Sequence, residues 1–439
     1  MKPMQMQSDW APEVTVSRRR VRSAGIVVMS LCLMMITVPA AAQVDQERAE
    51  AYFKQAAALC EREGVRLWGV SLCGPMVFAD PVTGTIATNQ QAPEAPRPRA
   101  LGYANAAMEW GGVRWSTFVW QMIPADDEAA RARIMLHELF HRVQRELGLY
   151  VPVSQGENDH LDTLVGRYWM QLEWRALARG LGTSGSERTD AIRDALAFRM
   201  TRRTLFPGAA EKERASEINE GLAQYTATVA AVLSSDKVAA DAIEQLTQSA
   251  QKESFVRTFA YASGAAYGIL LNAWSPGWTR QIKVTDDLGQ LLMTAANIQP
   301  SENVKAAARR YGGPELWTAE EKREMERQTR LAELRHRFVD GPVLVLPRGR
   351  NASFITTGVT PIPGAGTIYP SFRVTGEWGS IEAEQVLMSV NGSKLTVPAP
   401  VTVEGSTLSG DGWTVTLASG WVMRPGPRTG DFEVVHEDY

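Results

Sequence analysis

The abrupt change of pattern at Asp340-Gly341-Pro342 constrains the fold more than any other feature of the chain. Before it, from Ala125 to about Thr294, apolar residues recur at helical spacing. After it, residues 341–439 carry repeated Gly and Pro between short runs of Val, Thr, Ile and Trp. A chain that groups its helices and then its strands folds as α+β or as separate domains, because a doubly wound sheet needs the two to alternate. Leu344–Leu346, Phe354–Thr357, Gln385–Val390, Leu395–Val397 and Trp413–Leu417 are all strand-sized, which predicts a small all-β domain over 341–439, a sandwich or a barrel. No repeat of constant period runs through the chain.

The stretch ahead of the helices is also mixed. Residues 45–63 predict a helix with Ala49, Phe53, Ala56 and Cys60 on one stripe. Val65–Ala79 and Thr85–Thr88 read as strands joined by the turn Asp80-Pro81-Val82-Thr83-Gly84, residues 89–100 as a proline-rich loop, and Val113–Ile123 as a further strand. A small antiparallel sheet is therefore expected in front of the helical part. Asp126-Asp127-Glu128 open a helix to about Glu146, where acidic residues favour the dipole. Further helices are expected near 159–180, 187–204, 212–234, 256–273 and 302–311, with 318–338 a charged, solvated helical connector.

Residues 1–42 stand apart. Arg18, Arg19, Arg20 and Arg22 precede an apolar stretch from Ala24 to Val38, and Pro39-Ala40-Ala41-Ala42 precede Gln43. That is the pattern of a cleaved signal peptide, with an uncleaved anchor as the alternative. It predicts an exported protein, periplasmic or secreted, with no stable membrane span once the signal is removed. Beyond it only Cys60 and Cys73 remain, an isolated pair expected to close a short loop in an oxidising compartment, with two buried free thiols as the alternative. A net charge of −3 and a pI of about 6.1, with no long basic run in the body, argue against a nucleic-acid partner.

The chemistry centres on His137-Glu138-Leu139-Phe140-His141. Histidines four apart share one helix face, so both imidazoles reach one zinc ion, and Glu138 between them is placed to serve as general base toward an activated water. Arg142 departs from the uncharged residue usual after the second histidine. An open hydrolytic zinc site needs a third protein ligand. Two candidates compete: His160, flanked by Asp159 and Asp162, and Glu220 in Glu217-Ile218-Asn219-Glu220-Gly221-Leu222-Ala223-Gln224-Tyr225. The plain alternative for Glu217 and Glu220 is a charged helix face.

Asn219-Glu220-Gly221-x-Ala223 resembles the Asn-Glu-Gly-Phe-Ala segment of gluzincin aminopeptidases, and Ile218-Asn219-Glu220 resembles the Ile-Asn-Glu segment of thermolysin-type gluzincins. The resemblance covers roughly residues 105–270. It implies a zincin-like catalytic domain over 43–338, with Glu220 as third ligand and Gln224 in the place of an outer support. Tyr261-Ala262-Ser263-Gly264 resembles the gluzincin Tyr-x-x-Gly helix, which implies that Tyr261 stabilises a tetrahedral oxyanion; Tyr267 and Tyr225 are alternatives. Ala107-Met108-Glu109-Trp110-Gly111 resembles, less closely, the strand whose Glu holds a substrate amino terminus. The function implied is an exported zinc metallopeptidase acting on a peptide or protein substrate. The competing expectation is a catalytically inactive zincin-like envelope protein that binds or assembles through its β-domain.

Overall fold

The computed structural model describes residues 43–152, 158–232, 235–354 and 358–438; the expected signal peptide lies outside them. The architecture is α+β. Two compact units divide at Glu320, inside a long helix and ahead of the composition change at Asp340.

In the first unit, α1 spans Gln46–Trp68, capped by the Asp45 side chain and ended by Gly69 at φ 76°. It runs through Val65–Trp68, where strand was expected. β-branched and aromatic residues give a strand-like local signal there, but burial decides: Leu67 and Trp68 enter the core, and the Trp68 indole donates to Thr226 Oγ1 at 3.0 Å. Cys60 and Cys73 are joined in a disulfide, with Cα atoms 5.1 Å apart.

Four strands follow: β1 (Met76–Ala79), β2 (Ile86–Thr88), β3 (Ala106–Trp110) and β4 (Val113–Val119), in the order β2-β1-β4-β3. The expected antiparallel sheet is instead mixed. The β1–β2 and β3–β4 hairpins are antiparallel, but β1 lies parallel to β4 with Phe78 opposite Phe118. The connection over 89–105 is long enough for such a crossover. All four residues of β1 are buried, as suits an inner strand.

The helices then enclose a large core: α2 (Glu128–Val143), α3 (Leu164–Gly182), α4 (Gly185–Leu205), α5 (Ala209–Ser216), α6 (Leu222–Ala231), α7 (Ser235–Ser249), α8 (Thr258–Leu271), α9 (Leu288–Ala296), α10 (Val304–Arg310) and the first turns of α11 (Gly313–Arg335). A single π-helical turn, Glu217–Gly221, joins α5 to α6, dividing the helix expected over 212–234. Asp127 caps α2, accepting from the Ala130 amide at 2.8 Å, and Met135, Leu136, Leu139 and Phe140 bury the face opposite the solvent.

The second unit joins β5 (Val343–Pro347), β6 (Asn351–Phe354), β7 (Thr360–Ile362), β8 (Gly366–Gly376), β9 (Gly379–Ser389), β10 (Lys394–Pro398), β11 (Thr402–Glu404), β12 (Thr407–Gly410), β13 (Trp413–Leu417), β14 (Trp421–Pro425) and β15 (Phe432–His436) into one curled sheet. The branch point is β9, whose first half pairs with β13 and whose second half pairs with β10. Trp378, Val386, Val397 and Val415 lie in its core.

Candidate metal centre

Three donors from two distant parts of the chain converge. His137 and His141 project from one face of α2, with their Nε2 atoms 3.0 Å apart. Glu220, carried by the π turn, places Oε2 3.4 Å from His137 Nε2 and 3.3 Å from His141 Nε2. The three ligand atoms lie within 4.8 Å of one another, so this His-His-Glu group can hold a metal ion. The donor set fits such an ion chemically. Two neutral-capable imidazoles and one carboxylate suit a divalent metal of borderline softness, and among the described residues no arginine or lysine pairs with Glu220. Burial opposes ionisation of Glu220, but hydrogen bonds and charge from the two histidines hold its carboxyl far below the usual range.

Glu138 is buried beside this group, its backbone carbonyl accepting from Ser116 Oγ at 3.0 Å. Burial pushes its carboxyl above the ordinary value, with the two histidines opposing and Glu220 adding to the rise. A carboxylate tuned upward is a better proton acceptor near neutral pH.

Tyr261, on α8, completes the cluster. Its ring stacks on His137 at 5.4 Å between centroids, with the planes 6° apart. Burial, then the charge of Glu220 and a hydrogen bond to it, raise the phenol's pKa, so it remains a neutral donor. The two alternatives point elsewhere: the Tyr267 hydroxyl donates to Glu173 at 2.8 Å and that of Tyr225 to Asn272 at 2.9 Å. A glycine pair makes this placement possible. A Cβ on Gly221 would meet Gly264 Cα at 2.8 Å, and one on Gly264 would meet Gly221 Cα at 2.3 Å. Bare backbones are needed where the π turn crosses α8.

The other candidates are dispersed. His160 Nε2 lies 2.9 Å from Glu213 Oε1 and its ring packs on Phe206, while Asp162 Oδ1 accepts from the Phe255 amide at 2.7 Å. Glu217 does not lie on a charged helix face. It is buried and takes both terminal nitrogens of Arg199, within a network that also includes Glu173, Arg202, Arg203, Glu213 and Asp287. Glu109 is exposed on edge strand β3 beside Arg114 at 3.3 Å. Arg142 turns to the loop after α1, donating to Cys73 O at 2.6 Å, and so its charge anchors that loop.

Gln224, the expected outer support, instead donates to Gln245 at 2.8 Å. The side chain at the outer nitrogen of His141 is that of Gln144, whose Oε1 lies 2.8 Å from His141 Nδ1. Its one signal in the sequence is position: three residues after the second histidine, it shares that histidine's side of the helix. Comparison with known protein families, with characterised proteins and with solved structures returns no match for this chain.

Proposed function

We propose that the chain is an exported zinc metallopeptidase of the gluzincin type, with His137, His141 and Glu220 as metal ligands, Glu138 as proton carrier and Tyr261 as oxyanion donor. The observation that carries this reading is the convergence of Glu220 on the two histidines, with Glu138 and Tyr261 in the same cluster. When bound, zinc supplies Lewis-acid chemistry, acidifying water and polarising a carbonyl oxygen. Glu138 takes a proton from the attacking water and returns it to the leaving amine. The Tyr261 hydroxyl, kept protonated, donates to the oxygen on which negative charge develops.

The disulfide supports export, because such bonds persist in oxidising compartments. Among the described residues no helix is long and apolar enough to cross a membrane.

The test is Glu138→Gln, assayed for zinc content and for cleavage of an unbiased peptide library. One zinc per chain should remain and cleavage should vanish, because this residue carries protons and is not a ligand. Full cleavage by Glu138→Gln refutes the mechanism. Zinc binding without cleavage by the unsubstituted chain favours the competing binding role through the β-domain.

A further inference from the structure

We infer that Gln144 is a positioning residue for the metal centre: one buried amide selects the tautomer of His141 and secures the turn that bears Glu220. The inference rests on the reading of His137, His141 and Glu220 as metal ligands. Gln144 is fully buried at the C-terminal end of α2. Its side-chain nitrogen lies 3.0 Å from Ile218 O, 3.0 Å from Asn219 O and 3.2 Å from Leu149 O. Carbonyl oxygens only accept, so the amide must face them with its NH2 group. A flipped amide would set its oxygen against three other oxygens in a buried space.

That orientation has a consequence for the histidine. With the nitrogen committed to carbonyls, Oε1 is the atom facing His141 Nδ1 at 2.8 Å. An amide oxygen cannot donate, so Nδ1 carries the proton. In its neutral form the ring then presents the Nε2 lone pair toward His137 and Glu220, where a metal ion would replace the proton that Nε2 otherwise shares with the Glu220 carboxylate.

The second half concerns the π turn. The Leu222 amide bonds back to Glu217 O, five residues earlier, rather than to Ile218 O as an α-helix would have it. The displaced carbonyl of Ile218 and its neighbour at Asn219 receive the Gln144 amide instead. Asn219 in turn donates from Nδ2 to Glu220 Oε1 at 3.2 Å. Two of the three ligands, from elements far apart in sequence, thus share one support, and losing it should disturb both together.

The experiment combines two readouts on the full chain. Long-range 1H–15N NMR of the imidazoles in the metal-free protein, at a pH where the His141 ring is neutral and with His141 assigned by its loss in His141→Ala, should show the Nδ1–H tautomer. A neutral Nε2–H tautomer for His141 overturns the inference. Competitive chelation with zinc should show affinity reduced about 10–100-fold in Gln144→Met, which keeps the shape but neither donates nor accepts. Gln144→Glu retains an acceptor for His141 while losing the donors, so it should preserve the tautomer yet still lose affinity. A folded Gln144→Met chain that binds zinc within twofold of the unsubstituted one refutes the positioning role. If the unsubstituted chain binds no zinc, the metal reading itself fails, a result separate from the tautomer found.

Discussion

Replacing Gly264 by alanine tests whether the close crossing of α8 and the π turn builds the site. The new Cβ would lie 2.3 Å from Gly221 Cα and 2.9 Å from its carbonyl carbon. Carbon atoms rest at about 3.5–4.0 Å, so the two backbones must part by about 1.2 Å. Both obstructing atoms are backbone, so no rotamer change relieves the clash, and overpacking should cost about 3 kcal/mol, the upper part of its usual range. Alanine recovers about 1 kcal/mol of helix propensity. The net loss is about 2 kcal/mol, or a fall in Tm of about 4–8 °C. Gly180→Ala in α3 is the control, since its Cβ meets Ile192 Cγ1 at 3.4 Å, Ala191 Cβ at 3.8 Å and Arg188 O at 3.9 Å, all ordinary contacts. That change should be neutral or stabilising by up to about 1 kcal/mol. Parting the elements also lifts Tyr261 off His137, and a displacement near 1 Å is worth about 100-fold in turnover. Thermal unfolding of both variants, with peptide cleavage alongside, provides the measurement. A Gly264→Ala chain as stable as the unsubstituted one would show that the glycine pair does not set this crossing.

Zinc affinity measured by chelator competition should collapse in Glu220→Ala and change little in His160→Ala, whose partner is Glu213. The reverse pattern would make this a three-histidine site. Glu213→Gln should destabilise the first unit by about 3–5 kcal/mol, because Arg202 and Arg203 lose a buried partner. Burial alone would raise the Glu213 pKa, but Arg202, His160 and Arg203 depress it well below the ordinary value. Its contribution is therefore full above the unfolded carboxyl pKa of about 4.3 and is lost as pH falls below that value. Denaturation midpoints measured from pH 7 downward should converge for Glu213→Gln and the unsubstituted chain, and parallel curves would refute the linkage.

The candidate donors were legible in the sequence because their spacing is itself geometry. Histidines four apart in a helix must share a face, and Glu220 and Tyr261 lie in segments whose neighbouring glycines, Gly221 and Gly264, meet in space. Gln144 was not legible, because a glutamine near a helix end is ordinary and its value comes from carbonyls 74 and 75 residues away. The same holds for Glu217, which looks like surface charge until Arg199 is brought to it from α4. Local pattern reports exposure only when no distant partner changes its terms. The parallel pairing of β1 with β4 was hidden for a related reason: local signals mark the hairpin turns, and nothing local states how two hairpins join.

The end of α1 is sealed late. The Leu67 carbonyl accepts from the Thr279 hydroxyl, the Val65 carbonyl accepts from Arg280 at 2.9 Å, and Arg199 awaits Asp287 at 3.0 Å. These partners are separated by 212, 215 and 88 residues. A chain emerging from the ribosome therefore holds its first helix without these contacts, and Arg199 with Glu173 and Glu217 but not yet Asp287, until residues near 287 have been made. Closure of this end of the unit waits on a segment more than 200 residues downstream, and so falls late in synthesis or after it.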